Sequence, residues 1–155
     1  MGVRLVVVAL AAAVVVPVAN AETLTIKVTS VSITQKVTDR APKGWGNGDT
    51  IVYKDRLVNA AAQFGRAKGA VVGSDRGTMA FTSAHAATFT GVAVLPGGRL
   101  TLHGSVVSLT GKRLAIPVTG GTGRYAQAKG YLLVGPGAKK ALNTYVLTLP
   151  STPVA

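Results

Sequence analysis

The alternation of apolar and polar residues, which runs through most of the chain after residue 21, constrains the fold most strongly. Val and Thr are frequent, Gly interrupts them at short intervals, and no apolar stripe repeats every 3.6 residues. Such a pattern is typical of β-strands. Together with the turn signals, it predicts eight strands at residues 23–31, 50–58, 65–74, 78–91, 99–107, 112–118, 124–135 and 142–149.

The segments between these strands are mostly short and rich in turn-forming residues, and only residues 35–48 form a long loop. Eight strands joined by short turns predict an all-β fold, an eight-stranded antiparallel up-and-down β-barrel, because closure removes the exposed sheet edges. A barrel of eight strands is either filled by side chains or holds one small ligand. The predicted turns are Asp75-Arg76-Gly77, Pro96-Gly97-Gly98, Thr110-Gly111, residues 120–123 and Pro136-Gly137-Ala138.

The first residues predict export. Arg4 precedes an apolar run at residues 5–16, and Ala19-Asn20-Ala21 fits a small-residue cleavage site. The run is too short for a hydrocarbon core of about 30 Å, so it predicts a signal peptide rather than an anchor. We therefore expect a cleaved leader at residues 1–21, one barrel domain at residues 22–149, a flexible tail at residues 150–155, and a secreted protein without an integral membrane segment.

Charge and cysteine content narrow the chemistry. The chain has 17 Lys and Arg against 5 acidic residues, and no acid follows Asp75. Such a basic protein attracts anionic surfaces, although the charge can also serve solubility alone. Because there is no cysteine, a disulfide, a thiolate nucleophile and a thiolate metal site are all excluded.

An ordered series of motifs covers nearly the whole chain after the leader. The most specific block is Gly120-Gly121-Thr122-Gly123-Arg124-Tyr125 followed by Ala128-Lys129-Gly130. The other motifs are Tyr53-Lys54-Asp55-Arg56-Leu57, Gly65-Arg66-Ala67-Lys68-Gly69, Leu95-Pro96-Gly97-Gly98-Arg99 and Asn143-Thr144-Tyr145-Val146-Leu147. This series resembles the dirigent and allene oxide cyclase-like barrel family, in particular its small exported bacterial members.

The resemblance implies an eight-stranded barrel with an apolar interior and a homotrimeric or dimeric assembly. It also implies confinement of a small, largely apolar organic molecule, with stereoselective cyclisation or coupling of the isomerase type. Confinement and orientation alone can lower a barrier by several kcal/mol. The family's cysteines are absent here, and its Ala-Arg-Gly arginine is Lys129. Whether the protein is an enzyme therefore stays open, and the alternative is a non-catalytic carrier or a cell-surface binding module.

Asp55 is the main candidate for a catalytic residue. In the strand predicted at residues 50–58 it shares a face with Tyr53 and Leu57, whereas Lys54 and Arg56 mark the opposite face as the outer one. A lone carboxylate inside a barrel needs a partner or a raised pKa, and either suits a general acid or a charge stabiliser. The alternative is a structural ion pair with a cation such as Arg66.

Four further residues are candidates. Lys129 is predicted as a second catalytic residue that faces inward as a cationic partner of Asp55 or of a ligand oxyanion. It shares parity with Tyr125, although Ala128 and Gly130 could equally form the inner face. Tyr53, Arg66 and Tyr125 are the expected ligand-binding residues, with ring area in the core as the alternative role of Tyr53.

Other kinds of site are disfavoured. The glycines at residues 120–123 lack the spacing of a phosphate-binding loop, so we predict a tight turn there instead. His85 and His103 stand alone, so no metal site and no cofactor are expected. The basic residues are scattered and aromatic residues are few, which argues against a nucleic-acid partner.

Overall fold

The computed structural model describes residues 21–107, 113–137 and 139–150. Within these ranges eight antiparallel strands close into one barrel, in which each strand pairs with its neighbours in chain order and β8 returns to β1. The predicted all-β barrel is confirmed. The strands are β1 (Glu22–Thr38), β2 (Thr50–Asn59), β3 (Val71–Ser83), β4 (Ala86–Leu95), β5 (Gly98–Val107), β6 (Leu114–Gly123), β7 (Lys129–Val134) and β8 (Lys140–Leu149).

Apolar side chains that alternate along each strand form the core inside the barrel. In β5, for example, Leu100, Leu102 and Val106 are buried, whereas Thr101 and His103 are exposed. A residue and its direct cross-strand partner share one face of a sheet, so this alternation is carried around the barrel. The core is continuous and includes Ile26, Val28, Leu57, Ile116, Val118, Tyr125, Leu132, Tyr145 and Leu147.

The turn predicted at Asp75-Arg76-Gly77 is wrong, because β3 runs through these residues. The chain reverses instead at residues 84–85, inside the strand predicted at residues 78–91. Gly77 is required there by packing rather than by a turn: a Cβ atom at this position would meet the Tyr53 ring at 3.0 Å and the Thr90 carbonyl oxygen at 2.8 Å. The glycine makes room for an aromatic side chain of the neighbouring strand.

Several other boundaries also differ from the prediction: β3 begins at Val71 rather than at residue 65, and β7 begins at Lys129 rather than at residue 124. Residues 120–123 belong to β6, and the turn follows at residues 124–127, where Gln127 has a φ of 61°. The first strand is longer than expected and ends at Thr38, so the long loop covers residues 39–49. The predicted leader except for Ala21, the turn at Thr110-Gly111, Ala138 and the tail after Pro150 lie outside the described residues.

The loop at residues 39–49 is organised by the buried carboxylate of Asp49. Its two oxygens accept hydrogen bonds from the backbone N–H groups of Arg40, at 2.7 Å, and Gly46, at 2.8 Å. The loop thereby places Trp45 against Phe81, with the two rings stacked at a centroid distance of 4.4 Å. Over the described part of the chain, no helix has the length and apolar character needed to cross a membrane.

Candidate functional site

One end of the barrel contains a cavity of about 140 Å³ whose walls are partly apolar and partly acidic. It reaches solvent beside Gly137 and Lys140, which are both exposed, and we call this opening the mouth. The polar wall comes from β1, β2, β3 and β8, and includes Ser30, Tyr53, Asp55, Asp75 and Asn143. The apolar wall comes from Met79, Phe89, Leu114, Ile116, Leu132 and Val134.

Asp55 and Asp75 lie directly opposite each other on β2 and β3. Directly opposed residues of an antiparallel pair have Cβ atoms about 5 Å apart, so the two carboxyl groups are neighbours. They are not equivalent. The Ser30 hydroxyl donates a hydrogen bond to Oδ2 of Asp55, whereas Oδ1 of Asp75 is buried without a partner. Within the described residues, the pair therefore has one carboxyl group that accepts a side-chain hydrogen bond and one with an unsatisfied oxygen atom.

This asymmetry is matched by the proton affinity of Asp75. Burial, and next the negative charge of Asp55, raise the pKa of Asp75 from 3.8 to about 7. Two carboxylates in one apolar site repel each other, so one of them keeps its proton at a pH where both would be ionised in water. Near neutrality Asp75 can therefore act as a proton donor and, after giving up its proton, as an acceptor.

Two tyrosines lie near the acid pair: Tyr53 lines the cavity, whereas Tyr145 is fully buried and is not one of the lining residues. Burial and then the charges of Asp75 and Asp55 raise the pKa of Tyr53, and burial also raises the pKa of Tyr145 well above its usual value. Both hydroxyls consequently stay neutral. Among the residues that the structure describes, the Tyr145 hydroxyl and Oδ1 of Asn143 are buried and have no hydrogen-bond partner. With Asp75, they give this region three unsatisfied polar atoms, which is unusual in a native interior.

Two of the residues predicted from the sequence lie at this cavity. Asp55 and Tyr53 line it, as the parity of β2 predicts, and Lys54 and Arg56 are exposed on the outer face. The ring of Tyr53 packs at a tilt against Phe89, with centroids 6.0 Å apart. Tyr53 therefore contributes ring area and a hydroxyl to the same wall.

The structure does not bring Lys129 to the cavity. Its cross-strand partner is Thr148, and both side chains are exposed on the outside of β7 and β8. The inner face of β7 is formed by the residues of the opposite parity to Lys129. Leu132 is one of them, because it is buried and lies opposite the buried Tyr145. An inward-facing Lys129 is thus wrong, and the structure gives no contact between this ammonium group and Asp55.

Arg66 and Tyr125 also lie away from the cavity. The exposed Arg66 side chain donates through Nη1 to the carbonyl oxygen of Val71 at 3.0 Å, so it holds the chain between β2 and β3 rather than pairing with Asp55. Tyr125 is fully buried, and its hydroxyl donates to the carbonyl oxygen of Pro96 at 2.9 Å. Its observed contacts are structural, in the core and at the turn between β4 and β5.

Sequence reasoning missed Asp75, Ser30, Asn143 and Tyr145. For Asp75 a signal was present, because it shares parity with Met79 and Phe81 while Arg76 has the opposite parity. That signal was concealed because Asp75 is followed by Arg76-Gly77, and these three residues together are typical of a turn. The described residues contain no group of three or more His, Asp or Glu side chains placed as metal ligands.

The fold and the site define a class: a closed antiparallel β-barrel with an acid-bearing apolar cavity at one end. The chain belongs to the family described as dirigent-like protein, whose sequence profile matches residues 18–149. The predicted family resemblance is therefore confirmed. No protein among those with curated descriptions matches the sequence.

Several solved structures share the fold. The chain is similar to a pyocyanin demethylase, with 23% identity, a TM-score of 0.67, and coverage of 80% of this chain and 99% of that one. It is similar to a pterocarpan synthase dirigent protein, with 13% identity, a TM-score of 0.64, and coverage of 93% and 99%. It is also similar to the Diels Alderase AbmU from Streptomyces koyangensis, with 22% identity, a TM-score of 0.62, and coverage of 87% and 71%.

Proposed function

We propose that the protein binds a small, largely apolar organic molecule in the cavity and steers its stereoselective cyclisation or coupling. The observation that carries the proposal is the Asp55–Asp75 pair, in which one carboxyl group holds a proton near neutrality inside an apolar wall. The names of the similar barrels, a synthase and a Diels Alderase among them, agree with ring-forming chemistry.

The cavity volume indicates how much of the ligand is enclosed. At about 140 Å³, it is close to the engineered cavity of about 150 Å³ that binds benzene. One six-membered ring therefore fits inside, and the rest of a larger molecule extends through the mouth. Phe89, Leu132 and Val134 would contact the ring faces, while the acid pair meets a polar substituent at the ring edge.

The acid pair supports a reaction in which the proton that is donated at the start is recovered at the end. Asp75 donates its proton to a carbonyl oxygen of the ligand, and the negative charge of Asp55 stabilises the positive charge that develops on the carbonyl carbon. A hydroxyl group of the same ligand then adds to this carbon, so that a C–O bond closes the ring as the C=O bond becomes C–OH, and the proton that this hydroxyl loses returns to Asp75. The walls limit the ligand to one folded conformation, and this confinement selects one stereoisomer.

We also propose that the protein works outside the cell, since residues 1–21 have the pattern of a cleaved leader. The measurement is N-terminal sequencing of protein recovered from the culture medium of its own host. Glu22 as the first residue would support export, and an intact Met1 in protein found only inside cells would contradict it.

The function is tested on protein purified from its own host. Native mass spectrometry identifies a co-purified small molecule, and incubation of that molecule with fresh protein shows whether it is converted. We expect Asp55→Asn and Asp75→Asn to abolish conversion while the fold is kept. The matched control is Asp39→Asn, which removes the same charge from an exposed loop residue.

The same experiment separates the enzyme from its alternative. A molecule that is bound but never converted would identify a non-catalytic carrier. A protein that retains no small molecule and binds none from an extract of its host would favour a surface-binding module. Unchanged conversion by both Asp55→Asn and Asp75→Asn would refute the proposed role of the acid pair.

A further inference from the structure

A second concave surface lies on the outside of the barrel and adjoins the cavity. It is a groove of about 620 Å³ along β1 and β2, and we call it the outer groove. Its charged residues are Arg56, Lys68 and Lys140, and its lining includes no carboxylate. Valines form its apolar part, namely Val31, Val58 and Val71.

The strand register brings two of these cations to opposite sides of one residue. Val31 is the direct partner of Arg56 on β2 and of Lys140 on β8. Because neighbouring strands are about 4.8 Å apart, the backbones of Arg56 and Lys140 are separated by about 10 Å. Long side chains that start this far apart can converge on a single anionic group above Val31.

Both cations are free to bind such a group. The single salt bridge among the described residues joins Arg124 to Glu22, so neither Arg56 nor Lys140 has a described carboxylate within 4.0 Å. Asp49 and Asp75 are buried and Asp55 lines the cavity, so three of the 5 acidic residues place no carboxylate on the outer surface. The groove is therefore more strongly cationic than the net charge of the chain suggests.

The far end of the groove is held in place by hydrogen bonds. The buried Asn59 amide donates to the carbonyl oxygens of Gln63 and Arg66, at 3.0 and 3.1 Å. Gln63 in turn donates to the carbonyl oxygen of Lys27 on β1. These contacts fix the segment that carries Lys68, so the groove is a built feature of the fold.

Lys140 lines the cavity as well as the outer groove. A molecule whose ring occupies the cavity would leave through the mouth beside this ammonium group and could continue along the groove towards Arg56. A further concave surface that carries Lys54 and Arg76 shares the Tyr53 wall with the cavity, whereas the outer groove shares the exposed Lys140 at the mouth.

We infer that the outer groove is an anion subsite and that the ligand is amphipathic, with an apolar ring in the cavity and an anionic tail over Arg56 and Lys140. This inference rests on the proposed function, since it requires a ligand in the cavity. The tail would carry a carboxylate, sulfate or phosphate group, and the valines of the groove would contact its methylene groups.

The test compares two probes of the same length, one anionic and one neutral. Isothermal titration calorimetry at low ionic strength measures the affinity of 5-(4-hydroxyphenyl)pentanoate and of the corresponding neutral amide. Exposed ion pairs are individually weak, so two of them should favour the carboxylate by about fivefold. We expect this preference to shrink at high salt, because exposed charges are screened.

The variant Arg56→Gln/Lys140→Gln should bind both probes equally. The matched control Arg99→Gln/Lys129→Gln removes the same charge from the outside of β5 and β7, and should keep the preference.

Equal affinity of the unmodified protein for the two probes would overturn the anion subsite and leave the proposed function standing. An equal loss of preference in both variants would also overturn it, because the effect would then come from diffuse charge. If neither probe binds, the proposed cavity function fails for phenolic rings and the subsite fails with it.

Discussion

Asp55 and Asp75 occupy directly opposed positions on two antiparallel strands, yet only Asp55 receives a hydrogen bond from a neighbouring side chain. Opposed like charges destabilise a sheet, and burial adds a desolvation cost. The arrangement therefore costs folding free energy whenever Asp75 is ionised. Polar clusters of this kind are common where a protein binds or converts a ligand.

The first prediction concerns the pH dependence of stability. Burial and the charge of Asp55 raise the pKa of Asp75 to about 7 in the folded protein, against an ordinary value of 3.8. The folded state then binds more protons than the unfolded state between these pH values, so the free energy of unfolding falls as the pH rises from 4 to 7. The difference corresponds to at most about 4 kcal/mol.

Asp75→Asn should remove most of this fall. Urea unfolding should show similar stability for the variant and the unmodified protein at pH 4, and a more stable variant at pH 8. Asp39→Asn, which removes an exposed charge, serves as the control and should follow the unmodified protein. A variant that is less stable at pH 8 would show that the buried carboxylate is favourably paired.

The second prediction compares two buried tyrosines with opposite hydrogen-bond states. The Tyr145 hydroxyl has no partner, whereas the Tyr125 hydroxyl donates to Pro96 at 2.9 Å. Tyr145→Phe should raise the free energy of unfolding by about 1 kcal/mol, because a buried unsatisfied group is removed. Tyr125→Phe should lower it by about 1 kcal/mol, because the Pro96 carbonyl loses its donor. Chemical denaturation of both variants checks the signs, and a destabilised Tyr145→Phe would contradict the idea of an unsatisfied hydroxyl.

The third prediction concerns the glycine beneath Tyr53. In Gly77→Ala the new methyl group meets the Tyr53 ring at 3.0 Å and the Thr90 carbonyl oxygen at 2.8 Å, so the strand or the ring must move. Overpacking of this kind costs about 1–3 kcal/mol. Thermal unfolding should therefore show a lower Tm for this variant. Gly120→Ala adds the same methyl group with no atom within 4 Å and should leave Tm nearly unchanged.

The fourth prediction concerns the loop at residues 39–49. Asp49→Ala leaves the N–H groups of Arg40 and Gly46 without their acceptor, which should lower the free energy of unfolding by about 3 kcal/mol. It should also free Trp45 from Phe81. Because Trp45 is the only tryptophan, acrylamide quenching of its fluorescence reports on this loop directly. Asp39→Ala removes only one exposed contact, at 3.5 Å, and should change the quenching little.

The barrel could be predicted from the sequence because its causes are local. Alternation within each strand and turn residues between strands fix the class of fold, and the charged pair Lys54 and Arg56 gives the parity that turns Asp55 inward. These signals require no knowledge of which strands pair, and the closed sheet of the structure agrees with them.

The acid pair could not be predicted in the same way. The position of Asp75 opposite Asp55 depends on the register between β2 and β3, and an irregularity between Leu57 and Val58 shifts that register. The composition of Asp75-Arg76-Gly77 also indicated a turn. Packing against Tyr53 explains the glycine better, but that contact joins residues from different strands and has no local signature.

The direct pairing of Glu22 with Leu149 brings both ends of the barrel's chain to one rim. Lys140, at the mouth, starts the strand that Leu149 ends, and the two residues are about 30 Å apart along it. A tether fused at either end would therefore leave the molecule on the side away from the mouth. Immobilised on a support by such a tether, the barrel would present its opening to the surrounding solution.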